Sequence, residues 1–211
     1  MIIDLTHTLK NGITVYPGTI SPTFEQGNTI EKDGFAELNM AMCTHTGTHM
    51  DAPSHIIPNA KSLSDFPIDK FIGNAIVVDC SEKISISLES LRLIEDKIEL
   101  IDFILFYTGW QEKWNTLSYF DEFPILTQEA VDWLLNFELK AIGFDTFSVD
   151  KLTDEKLTNH HLLLKREILI IENMTNLDKL NGKFFELNCI PLKIENSDGS
   201  PIRAFGRILS E

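Results

Sequence analysis

The chain has 211 residues, of which 43% are hydrophobic and 24% charged, with a formal net charge of −14 and a pI near 4.8. Its length favours a single domain over 1–211, and its composition is that of an ordinary globular protein rather than a disordered or collagen-like one. The excess of carboxylates repels nucleic-acid backbones and anionic lipid, no dense Lys/Arg run offsets it, and no apolar run nears membrane-spanning length, so small molecules and cations are the expected partners.

The opening MIIDLTHTL lacks a basic region leading into a long apolar stretch, and a cytoplasmic location is expected. The Thr-rich N-terminal third is β-like. Further on, the apolar, β-branched runs GNAIVVDC, IDFILFYTG, KAIGFD and EILIIEN predict strands buried on both faces. Between them lie helical patterns: ISLESLRLIEDKI with Ser87 as N-cap, TQEAVDWLLNFELK with Thr127 as N-cap, and HHLLLKRE from near Asn159. This alternation predicts a layered α/β domain. Cys43, Cys80 and Cys189 form no CxxC and read as buried free thiols.

The densest chemistry lies between Cys43 and His55, in CTHTGTHMDAPSH. Read as a strand, it puts His45, Gly47, His49 and Asp51 on one face. Fully extended, the two histidine Cα atoms would lie roughly 13 Å apart, near the limit for sharing one ion, so the backbone must curl. Gly47 permits that bend, and Pro53 directs His55 separately. Imidazole and carboxylate suit Zn²⁺, Mn²⁺ or Fe²⁺, and three protein ligands with an open position are the usual arrangement of a catalytic metal. Five of the six histidines fall in two places, the second being NHHLLLKREILIIEN. A helix starting near His160 and a strand returning from Ile168 can bring His160 and Glu172 to a common end, with His161 pointing elsewhere.

HTGTHMDAPSH resembles the HxGTHxDxPxH signature of the metal-dependent cyclase/hydrolase family, which contains bacterial kynurenine formamidases (arylformamidases) and isatin hydrolases. The likeness extends through DLTHTL, VYPG, TGW, GFDTFSVD, HHLLL, IIENM and PLKIENSDGSPIRAFG. It implies a fold of the swivelling β/β/α type, a twisted mixed sheet with a barrel-like core flanked by helices, assembled as a homodimer or higher homo-oligomer. It further implies that His45, His49 and Asp51 bind metal, with His160 and Glu172 serving a second ion. Five protein ligands exceed what one tetrahedral ion accepts, so two Zn²⁺ bridged by Asp51 are expected, with a single Mn²⁺ as the alternative.

Tyr16 and Trp110 are the candidates for contacting substrate. Tyr16 stands where many relatives carry a tryptophan followed by Pro-Gly-Asp. Asp145 and Asp150 are expected to bond loop backbone, and Arg203 to pair with a nearby acid rather than with substrate.

The expected activity is cleavage of an aryl formamide or cyclic amide by a metal-activated water, with His55 carrying a proton to the departing nitrogen or, alternatively, serving as a further ligand. A metal-dependent binding protein without turnover, or a cyclase or dehydratase using the same metal, are the competing readings.

Overall fold

The computed structural model describes residues 1–208. Its strands are β1 (Ile2–Asp4), β2 (Thr23–Asn28), β3 (Glu37–Ala41), β4 (His49–Asp51), β5 (Ile72–Asp79), β6 (Phe103–Tyr107), β7 (Ala141–Phe144), β8 (Leu169–Glu172), β9 (Phe184–Asn188), β10 (Gly199–Pro201) and β11 (Phe205–Arg207). Four helices, α1 (Ile30–Asp33), α2 (Leu88–Arg92), α3 (Gln128–Leu134) and α4 (Thr158–Lys165), stand among them.

The four apolar runs become β5, β6, β7 and β8, paired parallel at the centre of a nine-stranded sheet ordered β1-β11-β9-β5-β6-β7-β8-β4-β10. Antiparallel strands flank them on both sides. The sheet curls strongly. Beyond β1 the chain bridges back to the end of β8 through Thr6 and Met174, and the Leu5 amide reaches the Ala204 carbonyl at 2.9 Å.

Strand alternation divides the core. Val77, Phe103, Leu105 and Ile171 point into the curl, whereas Val78, Ile104, Phe106 and Ile170 pack outward against Leu91, Val131 and Leu163 of the helices. Full burial stabilises each such side chain by about 1.5–3 kcal/mol. The interior is tight enough to need a glycine: a Cβ on Gly143 would lie 2.6 Å from both Leu105 Cδ2 and Met174 Sδ. Gly143→Ala is expected to overpack the interior and destabilise the fold by about 1–3 kcal/mol, read as a lower urea midpoint with unchanged slope.

Thr127 caps α3 as its sequence predicts, its hydroxyl accepting from the Ala130 amide at 3.3 Å. The helix after Ser87 is shorter than its pattern predicts. It closes at Arg92 and continues in turns bonded three residues apart, while Ser87 makes no side-chain cap. Glu95 and Asp96 follow there, acidic where a helix C-terminus favours cations. Cys80 and Cys189 are buried, but Cys43 is only half-buried, because it begins the turn into the histidine cluster.

Among the described residues the two-stranded β2–β3 ribbon pairs with no other strand, and every residue of β3 is exposed. Among the described residues no helix is long and apolar enough to cross a membrane.

Candidate metal centre

Residues 44–48 form a turn, and only His49–Asp51 is a strand. The extended reading of the whole segment therefore fails where it strains the histidine spacing. Gly47 takes φ +66°, a left-handed conformation that glycine adopts freely, and a Cβ there would lie 2.7 Å from Leu9 Cδ2. Thr46 Oγ1 ties the turn to the Cys43 carbonyl at 2.8 Å. Thr48 Oγ1 donates to the Asn173 carbonyl, and Asn173 Nδ2 donates to the Gly47 carbonyl at 3.0 Å. Pro53 then opens a single 3-10 turn ending at His55.

Register does the rest. β4 lies against β8 with His49 opposite Glu172, and α4 delivers His160 from the far side. Asp150 shapes that helix start, accepting from the backbone amides of Asn159 and His160 at 2.8 and 3.0 Å.

Two imidazoles have their protons fixed on the far nitrogen. His49 Nδ1 donates to the Gly47 carbonyl at 2.8 Å, which leaves the Nε2 lone pair facing Asp51 Oδ1 at 3.4 Å and Glu172 Oε2 at 3.5 Å. His160 Nδ1 sits 2.7 Å from Asp150 Oδ2, leaving Nε2 facing Asp51 Oδ2 at 3.7 Å and Glu172 Oε1 at 3.5 Å. Such far-side acceptors orient metal-binding histidines and raise their basicity. His45 adds Nδ1 at 2.8 Å from Asp51 Oδ1. The five expected ligands therefore converge, with one oxygen of Asp51 toward His45 and His49 and the other toward His160.

The donor set fits a cation. Glu172 Oε1 is buried without a hydrogen-bond partner, and the ion pairs of Asp51 and Glu172 are all with histidines. Electrostatics agree. Burial opposes charge on His45 and His160, yet Asp51 and Asp198 around the first, and Asp150, Glu172 and Asp51 around the second, raise both to about 10. Burial also raises Glu172, helped by the charge of Asp51, while Asp51 is held well below the usual carboxylate range, against its burial, by His45 and His49. Protons thus supply the positive charge this cluster demands, and a bound cation displaces them.

The ligands floor a cavity of about 320 Å³. Its walls include Tyr16, Phe120, Phe147 and Leu157, and Lys151 lines it as well. His55, with 29% of its side chain exposed, lies beside the ligands, its ring centroid 4.0 Å from that of His45. Tyr16 thus reaches the expected place, but Trp110 does not. Gly109, at φ +76°, turns the chain after β6, and the Trp110 indole donates to the Tyr119 carbonyl at 2.8 Å under the Lys113 ammonium, outside the cavity wall. His161 is exposed, and Arg203 pairs with Asp4 at 2.7 Å. Asp145 bonds the Thr108 amide and hydroxyl, with burial raising its carboxyl to about 6.

Four contributors escape sequence reasoning. Asp198 touches His45 from 153 residues away, Asn173 braces the Gly47 turn, Phe120 comes from a segment without a local pattern, and Phe147 lies in the GFDTFSVD stretch without having been assigned a role. Only the DGSPIRAFG stretch carried a hint of Asp198.

Comparison with known proteins gives the chain its family. The pattern of the family described as putative cyclase matches residues 3–151. A kynurenine formamidase of Bacillus cytotoxicus is 34% identical, covering 98% of this chain and 97% of its own length, and one of Bacillus mycoides is 34% identical over 96% and 95%. Isatin hydrolase A from Labrenzia aggregata superposes with a TM-score of 0.87 at 27% identity, covering 100% of this chain and 94% of its own. An isatin hydrolase bound to thioisatinate shares the fold, with a TM-score of 0.88 at 23% identity over 99% and 92%. The chain belongs to the putative cyclase family and is a hydrolase of that family.

Proposed function

We propose that this metal-dependent amide hydrolase cleaves aryl formamides or closely related cyclic amides. The observation that carries the reading is the cavity itself, with inward-facing imidazoles and carboxylates on its floor and aromatic side chains on its walls. His45, His49 and Asp51 would hold one ion, and His160 and Glu172, with the second oxygen of Asp51, another; Zn²⁺ suits these ligands best and Mn²⁺ is the alternative. When bound, the ions supply Lewis acidity and a water that ionises near neutral pH. The remaining work falls to the chain. Phe120, Phe147 and Tyr16 pack the aryl group and exclude solvent, and His55 gives its proton to the departing nitrogen.

The relatives named kynurenine formamidase and isatin hydrolase support this substrate range. Incubation with Zn²⁺ or Mn²⁺ and a panel of formanilides, isatin and cyclic imides tests it. Acid release from a formanilide or a lactam is expected. Binding without acid release would favour a carrier, and ring closure of an open substrate would favour a cyclase.

We further propose a homodimer acting in the cytoplasm. Supporting the assembly are Ile20, Ile30, Phe35, Leu38 and Met40, large apolar side chains exposed on or beside the β2–β3 ribbon, a two-stranded element of the kind that is marginal in water by itself. Supporting the location are three unpaired cysteines. Light scattering that gives a monomer mass at micromolar concentration would refute the dimer.

A further inference from the structure

Each of two imidazoles in the cluster has a fixed acceptor at its far nitrogen: the Gly47 carbonyl for His49 and Asp150 for His160. His45 presents Nδ1 to Asp51, and its Nε2 lies 3.1 Å from Asp198 Oδ2. We propose that Asp198 is the positioning residue of this rim, holding the proton of His45 on Nε2 so that Nδ1 faces the cation, and steering His55. The inference rests on the reading that the cluster binds metal.

The seat is built from several directions. The Asp198 carbonyl accepts from the Ala52 amide at 2.8 Å, and the Ser197 carbonyl from the Leu63 amide at 3.0 Å, so the backbone on both sides of the side chain is pinned to the segment following β4. Thr44 Oγ1 donates to Asp198 Oδ1 at 3.0 Å, which leaves Oδ2 for the histidines. Oδ2 also lies 3.6 Å from His55 Nδ1, between the two rings. Gly199 completes the seat by what it lacks. It stands opposite Asp51 across β10 and β4, and a Cβ on it would lie 2.6 Å from His45 Cε1. Asp198 therefore orients the ring by a charged hydrogen bond, and Gly199 lets it lie flat against the strand.

The geometry separates His45 from its neighbours. His49 and His160 offer Nε2 to the common space, whereas His45 offers Nδ1, the nitrogen nearer its own backbone. A carboxylate at 44% exposure is no packing requirement, so its removal leaves the fold intact while freeing the ring to turn. Loss of such an outer partner weakens metal binding by about 10–100-fold.

The test uses the full chain with Asp198→Ala, Asp198→Asn and Gly199→Ala, and Zn²⁺ alone as the probe. Chelator competition should show affinity about 10–100-fold weaker in Asp198→Ala and partly restored in Asp198→Asn, whose amide oxygen still accepts one bond. Gly199→Ala, which displaces the ring without altering charge, should also weaken binding. Histidine ¹⁵N spectra of the zinc-loaded protein should place the His45 proton on Nε2. Unchanged zinc affinity in Asp198→Ala, a His45 proton on Nδ1, or loss of a whole equivalent of zinc from Asp198→Asn would each overturn the assignment, the last by making Asp198 a ligand. These readouts stand whether or not any amide in the substrate panel is hydrolysed.

Discussion

Replacing Asp51 by alanine is expected to empty the centre and to lower kcat/KM on the order of a thousandfold or more, equivalent to about 4 kcal/mol of lost transition-state stabilisation. The effect should be the largest of any single ligand, because this one carboxylate faces His45 and His49 with Oδ1 and His160 with Oδ2. Its side chain is 1% exposed, so no water fully replaces it. His49→Ala and His45→Ala should lose metal too, but each removes a single nitrogen donor. Metal analysis beside circular dichroism separates an empty site from an unfolded chain. Wild-type metal content in a folded Asp51→Ala protein would remove the basis of the site.

His55→Ala should behave differently, keeping its metal while kcat falls by about 10²–10⁴-fold. His55 lies beside His45 but makes no ion pair with Asp51 or Glu172. Its nearest charged contact is Asp198 at 3.6 Å, and its ring centroid lies 6.1 Å from that of His160. Burial lowers its pKa below the ordinary histidine value, against the charges of Asp51 and Asp198, and a cation bound in place of the His45 and His160 protons would add to that shift. The proton needed by the departing nitrogen is present at low pH and lost as pH rises. The wild-type profile should therefore carry a falling limb that His55→Ala lacks. Loss of metal from His55→Ala would instead make it a ligand.

Chemistry that is local in the chain was legible from the residues alone. His45, His49, Asp51 and His55 fall within one segment, and the spacing arithmetic already demanded the bend that Gly47 makes. His160 and Glu172 were within reach because one helix and one returning strand connect them. What escaped depends on the curl of the sheet. Asp198 meets His45 only once β10 has paired with β4, and no periodicity encodes that antiparallel partnership across 153 residues. Trp110 was misplaced for a related reason: an aromatic residue at a strand end is equally suited to a cavity wall or to the support behind it, and the left-handed turn at Gly109 decides between them. The helix after Ser87 kept its start but lost its length, since a hydrophobic pattern reports a buried face rather than a continuous backbone.

β4 has only three residues, yet it is paired on both edges, with His49 opposite Glu172 on one side and Pro201 on the other. Its middle residue, Met50, is fully buried in the apolar curl, while His49 and Asp51 face the cavity. Sliding this strand by one position would exchange the faces, driving a carboxylate and an imidazole into hydrocarbon and a thioether into the polar pocket. The ligands therefore act as a ratchet on the pairing. Insertions or deletions between Gly47 and Ala52 should be far less tolerated than changes of length in the exposed β2–β3 ribbon, where no buried charge records the alignment.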